Sequence, residues 1–448
     1  MRVLFGTDGI RGKAHQYPLD VATMAKLGFV LARRLSNAPR ILLGIDTRES
    51  GPEIARALSH GIREGGGEPH FVGIIPTPGI AYLCRTSDAA AAISISASHN
   101  PFEDNGVKIF GHDGMKVPDA FEEELEDELR VAPAIVRAED GKIAGFDAGR
   151  IAGATPLIET YEEFLNGTVE PDALKGKRVV LDTGFGAAYQ IAPDVFRRAG
   201  AEVIVMNDTP NGRNINEGSG ALHPEGLAKR VVAEGADFGV AFDGDADRAI
   251  FADDVGKIRD GDEIIYLWSQ HLKREGKLRG DRVVTTVMSN FGFEQQLKRD
   301  GIDLLRAQVG DKYVLELMLA HDAVIGGEQS GHIIDRTVHT TGDGIHTALV
   351  FGEILAGAHA KFSELKTFEP MPQLLLNQKV GAKPPLESLP KYQQALAEAQ
   401  RTLGGRGRIL VRYSGTENLV RVMVEGEDRA AILQIAEHLR DVLRAEIG

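Results

Sequence analysis

The sequence predicts an α/β protein of four domains: three related α/β domains with mixed or largely parallel sheets, then a smaller C-terminal α+β domain. Three observations predict this. First, 448 residues suffice for about three or four domains of ordinary size. Second, one plan recurs three times. An apolar strand runs into a polar turn and then a helix at Arg40–Gly51, at Arg178–Gly186 and at Arg282–Gly292. Each is followed by a Gly and a further strand, at Gly67–Ile74, Gly200–Asn207 and Gly301–Gln308. Continuous apolar strands alternating with helices indicate sheets covered on both faces. Third, the end of the chain breaks the plan. Ile409–Arg412 and Leu419–Glu425 read as strands around a polar loop, and Asp428 caps a helix with Ile432, Ile435, Leu439, Val442 and Leu443 on one face.

The punctuation places the boundaries. A Gly-containing, loop-rich stretch at Gly145–Pro156 ends the first domain, so residues 1–153 form it. The second spans 154–256, and the third 257–368, up to a linker marked by Pro370 and Pro372. Residues 369–448 form the last.

Composition narrows the function. Apolar residues at 43% and charged residues at 26% describe a soluble globular protein. A formal net charge of −14 disfavours nonspecific nucleic-acid binding without forbidding an anionic substrate. Cys84 is the only cysteine, which excludes an intrachain disulfide and fits a reducing compartment. With no run of about 18 apolar residues and no leader-like start, neither membrane span nor signal peptide is expected, and the cytoplasm is the expected location. A homodimer is compatible with the sequence.

Residues 94–110 carry the densest local signal. An Ala-rich strand enters Ser94-Ile-Ser96, breaks at Ala97-Ser98-His99-Asn100-Pro101 and returns at Val107–Phe110. A hydroxyl on such a turn is exposed at a sheet end, where nucleophiles sit, although a turn serine most often bonds its own backbone. The second signal is Asp243-Gly-Asp-Ala-Asp-Arg248, between the apolar strands Phe238–Phe242 and Ala249–Ala252. Asp243, Asp245 and Asp247 each raise the others' cost of ionising, and their apolar flanks argue against full solvation. Hard oxygen ligands in this number suit magnesium or calcium. An EF-hand fails because its sixth position is Arg248 instead of Gly. Magnesium with a phosphorylated ligand fits better.

Three further loops bear chemistry. Gly326–His332 is a compact polar loop in which Glu328 and Ser330 fall on one side if locally extended, a pairing suited to vicinal sugar hydroxyls. Arg412-Tyr-Ser-Gly-Thr-Glu-Asn-Leu-Val-Arg421 joins hydroxyls, a Gly and two arginines, the donor set that a phosphate dianion prefers; the same arginines could instead pair with Glu417 and Glu425. Phe5–Gly12 is Gly-rich and offers Arg11 to an anion.

These five motifs, in this order, resemble those of the α-D-phosphohexomutases over nearly the whole chain. The resemblance implies four domains around a central cleft and a phosphoserine enzyme. It makes Ser98 the phosphorylated residue, with Asp243, Asp245 and Asp247 holding Mg2+ together with Ser98. Arg11, His99, Lys108 and His332 become the catalytic candidates beside the transferring phosphate. Arg248 would orient the sugar, with Glu328 and Ser330 on its hydroxyls. Arg412, Ser414, Gly415, Thr416 and Arg421 would clamp the non-reacting phosphate. The implied reaction interconverts glucosamine 6-phosphate and glucosamine 1-phosphate through a bound 1,6-bisphosphate, in amino-sugar nucleotide and cell-wall synthesis. The partners implied are that phosphorylated hexosamine and the bisphosphate, with no nucleic acid and no membrane. The alternative is a mannose or glucose phosphate mutase on the same scaffold. A phosphoserine and three ionised aspartates together carry about −5, and only a divalent cation makes their convergence plausible.

Overall fold

A computed structural model describes residues 4–6, 8–35, 37–135, 156–414 and 418–448. The boundary expected at 153/154 lies outside them, as do Gly415 and Thr416. The described residues form four sheets, and the first three share one design.

The first unit contains β1 (Phe5–Gly6), β2 (Gly9–Lys13), α1 (Val21–Leu35), β3 (Arg40–Ile45), α2 (Gly51–Glu64), β4 (Glu68–Ile74), α3 (Thr77–Thr86), β5 (Ala91–Ile95), β6 (Asp104–Gly111) and α4 (Asp119–Val131). Its sheet runs β1-β2-β6-β5-β3-β4. The second contains α5 (Pro156–Asn166), β7 (Arg178–Asp182), α6 (Ile191–Arg198), β8 (Glu202–Met206), α7 (Glu225–Glu234), β9 (Phe238–Phe242), β10 (Ala249–Asp253) and β11 (Ile258–Arg259), with strand order β11-β10-β9-β7-β8. The third contains α8 (Gly261–Arg274), β12 (Arg282–Thr286), α9 (Phe291–Arg299), β13 (Asp303–Ala307), α10 (Asp311–Ala320), β14 (Ile325–Gly327), β15 (Ile333–Asp335) and α11 (Gly344–Gly357), ordered β13-β12-β14-β15.

In each, a central strand pairs in parallel with two neighbours: β3 with β4 and β5, β7 with β8 and β9, β12 with β13 and β14. The next strand then returns antiparallel: β6 on β5, β10 on β9, β15 on β14. The sheets are therefore mixed. A few-residue connection cannot make the crossover that a parallel neighbour needs, so each short polar turn folds back as a hairpin. Those three turns carry Ser98, the Asp243–Asp247 trio and the Glu328–His332 loop. The three motifs thus occupy one topological position in three copies of the same unit.

The last unit comprises β16 (Gln373–Lys379), α12 (Pro390–Leu403), β17 (Gly407–Tyr413), β18 (Leu419–Gly426) and α13 (Arg429–Ile447). Its sheet, β16-β18-β17, is wholly antiparallel. Asp428 caps α13 as expected, its carboxylate accepting from the Ala430 and Ala431 amides.

The cores divide unevenly. One apolar cluster runs from Leu42 through Tyr161, Phe242 and Phe351 to Phe368, fusing the first three units. Another lies entirely within Val380–Ile447, between the helices and one face of the last sheet. Among the described residues, no helix is long and apolar enough to cross a membrane.

Candidate active site

The first two hairpin turns meet face to face. Ser98 sits in the left-handed region at φ +52°, a conformation that side chains rarely adopt without a reason in the surrounding structure. That reason is a buried brace. The Ser98 amide donates to Ser96 Oγ (2.9 Å), and Ser96 Oγ donates to Asp46 Oδ2 (2.6 Å). Arg48, fully buried and ion-paired to Asp46, donates to the carbonyls of Ser98 (3.1 Å) and Asn100 (2.5 Å). Asn216 from the second unit donates to the same two carbonyls (2.9 and 3.2 Å). Removing one member of a pair as buried as Asp46–Arg48 costs roughly 3–5 kcal/mol.

The brace aims Ser98 Oγ at Asp243 Oδ2, 2.6 Å away. At the contact, Gly244 faces the Ser98 carbonyl so closely that an added Cβ would stand 2.5 Å from it, so only glycine fits. Each of Asp243, Asp245 and Asp247 offers a carboxylate oxygen within 4.8 Å of the others, and all three residues are buried. Burial, then Asp247 and Asp245, pushes the Asp243 carboxyl well above its ordinary range. Burial opposes ionisation of Asp247 too, but Lys108, His332 and Arg248 hold it below its ordinary range. Oδ1 of Asp245 and Oδ1 of Asp247 are buried without a hydrogen-bond partner. Clustered carboxylates with unused buried oxygens are the donor set of a hard divalent cation, so these residues fit the metal that the sequence implied.

Cations frame the trio. Lys108 Nζ lies 3.1 Å from Asp8, 3.5 Å from Asp247 and 3.9 Å from Asp245. Burial works against its charge, yet Asp8, Asp247 and Asp245 raise it above the ordinary lysine range, so it stays an ammonium. Arg11 pairs with Asp8 and donates to the Ala97 carbonyl (3.2 Å). Burial would raise the Asp8 carboxyl, but Lys108 and Arg11 hold it at about 2. His99 Nδ1 is 3.3 Å from Ser98 Oγ, and burial followed by Arg248 and Arg11 lowers its imidazole to about 4, leaving it neutral.

The third hairpin closes on the second. Arg248 and His332 form a β-bridge, the Ala249 amide donates to the Gly331 carbonyl (3.1 Å), and the Gly344 amide donates to the Ala246 carbonyl (2.9 Å). Arg248 Nε stands 3.8 Å from Asp247 and 4.0 Å from Asp243. His332 is buried, with neither ring nitrogen hydrogen-bonded. Residues Glu328–Gly331 form a tight turn, closed by the Gly331 amide on the Glu328 carbonyl (3.0 Å), and not the extended segment pictured from sequence. Ser330 Oγ still reaches Glu328 Oε2 (3.3 Å), so the turn rather than a strand pairs them.

Ser98, His99, Arg11, Lys108, the Asp trio, Arg248 and His332 are thus brought into one neighbourhood, with Glu328 and Ser330 beside it. Arg412, Ser414 and Arg421 belong to another, on the β17–β18 hairpin. Arg412 and Arg421 are directly opposed across the ladder, and Lys383 Nζ donates to the Ser414 carbonyl (2.8 Å). Burial and then Arg421 lower the Arg412 guanidinium. Of the two carboxylates weighed as alternative partners for these arginines, Glu417 lies outside the described residues and Glu425 pairs with Arg408.

Sequence reasoning missed Thr77, whose Oγ1 donates to Asp245 Oδ2 (2.6 Å) and lies 2.7 Å from Ser94 Oγ. It also missed Asp8 and the Asp46–Arg48–Asn216 brace. A signal for part of this existed in the Asp-Thr step at the C-terminal edge of both β3 and β7: Asp46-Thr47 and Asp182-Thr183. In the structure Thr47 Oγ1 donates to the Phe185 carbonyl (2.5 Å), stitching those two turns together.

Residues 2–133, 158–256 and 260–371 match the phosphoglucomutase/phosphomannomutase alpha/beta/alpha domains I, II and III, and residues 375–442 match the C-terminal domain of the same family. The chain belongs to the phosphoglucomutase/phosphomannomutase family. It is 45% identical to phosphoglucosamine mutases of Solibacter usitatus and of Symbiobacterium thermophilum, over 449 residues and 99% of each chain. Among solved structures, its fold resembles a phosphoglucomutase/phosphomannomutase family protein from Burkholderia thailandensis (TM-score 0.81, 22% identity, 99% of this chain and 97% of that one). It also resembles a putative phosphomannomutase from Thermus thermophilus (TM-score 0.75, 25% identity, 98% of both).

Proposed function

We propose that the protein interconverts glucosamine 6-phosphate and glucosamine 1-phosphate, with Ser98 carrying the phosphoryl group between turnovers. The observation that carries this reading is the 2.6 Å contact between Ser98 Oγ and the buried Asp243 carboxylate, two residues from Asp245 and four from Asp247. A phosphate ester at that hydroxyl belongs beside a cation. Asp243, Asp245 and Asp247 would hold magnesium together with an oxygen on Ser98. Bound there, the ion would draw charge from the phosphoryl oxygens and offset the aspartates.

The chain's own groups supply the rest. The Arg48 and Asn216 brace holds the ester in line with the cleft. Lys108 and Arg11, kept charged by their acidic neighbours, neutralise charge as the P–O bond to Ser98 Oγ breaks and one to the sugar oxygen forms, the sugar hydroxyl's proton ending on Ser98 Oγ as the restored serine hydroxyl. Arg248 and the Glu328–Ser330 pair orient the ring. Arg412, Ser414, Gly415, Thr416 and Arg421 grip the phosphate that is not reacting. The 1,6-bisphosphate then reorients, Ser98 takes the other phosphoryl group, and the clamp exchanges one phosphate for the other.

Two measurements test this together. Intact mass of the purified protein should show one added phosphoryl group mapped to Ser98. Coupled assays on glucosamine, glucose and mannose 6-phosphates should show the highest kcat/KM for glucosamine 6-phosphate. Preference for mannose or glucose phosphate would move the substrate assignment to the alternative mutase. A protein that accepts no label from a hexose 1,6-bisphosphate would end the phosphoserine mechanism.

A further inference from the structure

The last sheet has one face packed under its helices and one face free of them. Ile409, Val411, Tyr413, Val420, Val422 and Val424 belong to the core cluster below α12 and α13. Their alternates project to the other side. Register places three rows there: Arg408 opposite Glu425 and Gln373, Leu410 opposite Met423 and Leu375, and Arg412 opposite Arg421 and Asn377.

The first row is seated on the third unit. Glu425 is 0% exposed; its Oε1 accepts from the Phe291 amide (3.2 Å) and its Oε2 from Arg408 Nε (2.8 Å). Phe291 opens α9, so a carboxylate from the last unit meets the positive end of that helix. Arg408 Nη2 donates to the Ser289 carbonyl (3.0 Å), which also accepts from Arg306 (2.9 Å). The linker is fixed at the same place, because Asn290 accepts from the Met371 amide (2.9 Å) and donates to its carbonyl (3.0 Å). The third row holds the two opposed arginines, four residues farther along each strand and so about 13 Å away.

We infer that the Arg408–Glu425 pair is the pivot of the C-terminal unit, and that as positioning residues the two set where Arg412 and Arg421 stand over the cleft. The inference rests on the proposed reading of those arginines as the phosphate clamp. A rotation of about 10° at the first row moves the third by about 2 Å, enough to make or lose a bidentate phosphate contact. The pivot lies on the face opposite the unit's own core, so cutting it loosens the seat and leaves the unit folded.

The test uses the full-length enzyme. Glu425→Gln keeps an acceptor for the Phe291 amide and loses the charge; Arg408→Met removes the guanidinium. Each should raise KM for glucosamine 6-phosphate roughly tenfold or more, with a smaller change in kcat, and increase the share of turnovers that release the bisphosphate. Arg408→Lys should restore part of the loss. Independently of turnover, spin labels on Lys298→Cys and Glu437→Cys, both exposed positions, read the spacing of the two units; the native Cys84 is buried. Their distance distribution should broaden in Glu425→Gln without substrate. An unbroadened distribution overturns the pivot. A broadened one with native KM and bisphosphate retention upholds the pivot and overturns the clamp reading beneath it.

Discussion

Four hairpin turns carry the candidate chemistry, and three of them behave differently from the fourth. The turns of the first three units share a continuous core and are tied by backbone hydrogen bonds, such as Thr77 to Asp245 and Gly344 to Ala246. The β17–β18 hairpin belongs to a unit with its own core and, among the described residues, is seated by a polar contact row at Arg408 and Glu425. The difference suits the two tasks proposed for them. Phosphoryl transfer needs reacting groups held to a fraction of an ångström, whereas a clamp that serves both ends of a bisphosphate must let go.

The sharpest break of the comparison comes from the rigid side. Ser98→Ala removes the oxygen that accepts and returns phosphate, so turnover should fall by about 10⁴ or more while circular dichroism and melting stay native. Residual activity within tenfold of wild type would remove Ser98 from its role. On the side of the proposed clamp, Arg421→Gln should leave single-turnover phosphoryl transfer nearly intact and raise KM roughly 10- to 100-fold. A drop confined to kcat would place Arg421 with the reacting groups and erase the contrast.

A smaller effect is expected from the support around the trio. Thr77→Val keeps the shape of the side chain but strips the hydroxyl from Asp245, so the magnesium concentration for half-maximal activity should rise about 10-fold. An unchanged titration would mean that Asp245 is oriented by its other neighbours alone. The last effect, on stability and not on turnover, lies under the pivot. Burial, followed by Asp260, lifts the Asp262 carboxyl to about 7, and Asp262 Oδ2 accepts from the Asn290 amide. The folded protein therefore holds a proton that the unfolded chain releases near pH 4, and the stability this confers disappears as pH rises toward 7. Asp262→Asn should escape that loss and gain roughly 1–3 kcal/mol on wild type between pH 5 and pH 8 in urea unfolding.

Much of this contrast was legible in the residues themselves. Ser98, the aspartate trio, Glu328 and the Arg412–Arg421 loop stand out because polar clusters interrupt apolar strands. The threefold strand plan was visible for the same reason. What periodicity does not encode is that the three motif turns are equivalent hairpins, because a strand's apolar run looks the same whether it pairs parallel or antiparallel. Thr77, Asp46, Arg48 and Asn216 stayed hidden for a related reason: each is an ordinary polar residue in a loop, or at or beside the end of an element, and only its distant partner gives it a task. Glu425 entered only as an alternative partner for the clamp arginines, because sequence does not show the register that gives it Arg408.

The closeness of Gly244 to the Ser98 carbonyl has a consequence for how this molecule can change over time. Between the first two units the margin is narrower than a single methyl group, so neither turn can drift unless the other drifts with it. Variation is thereby pushed toward the β17–β18 hairpin, whose unit folds around a core of its own.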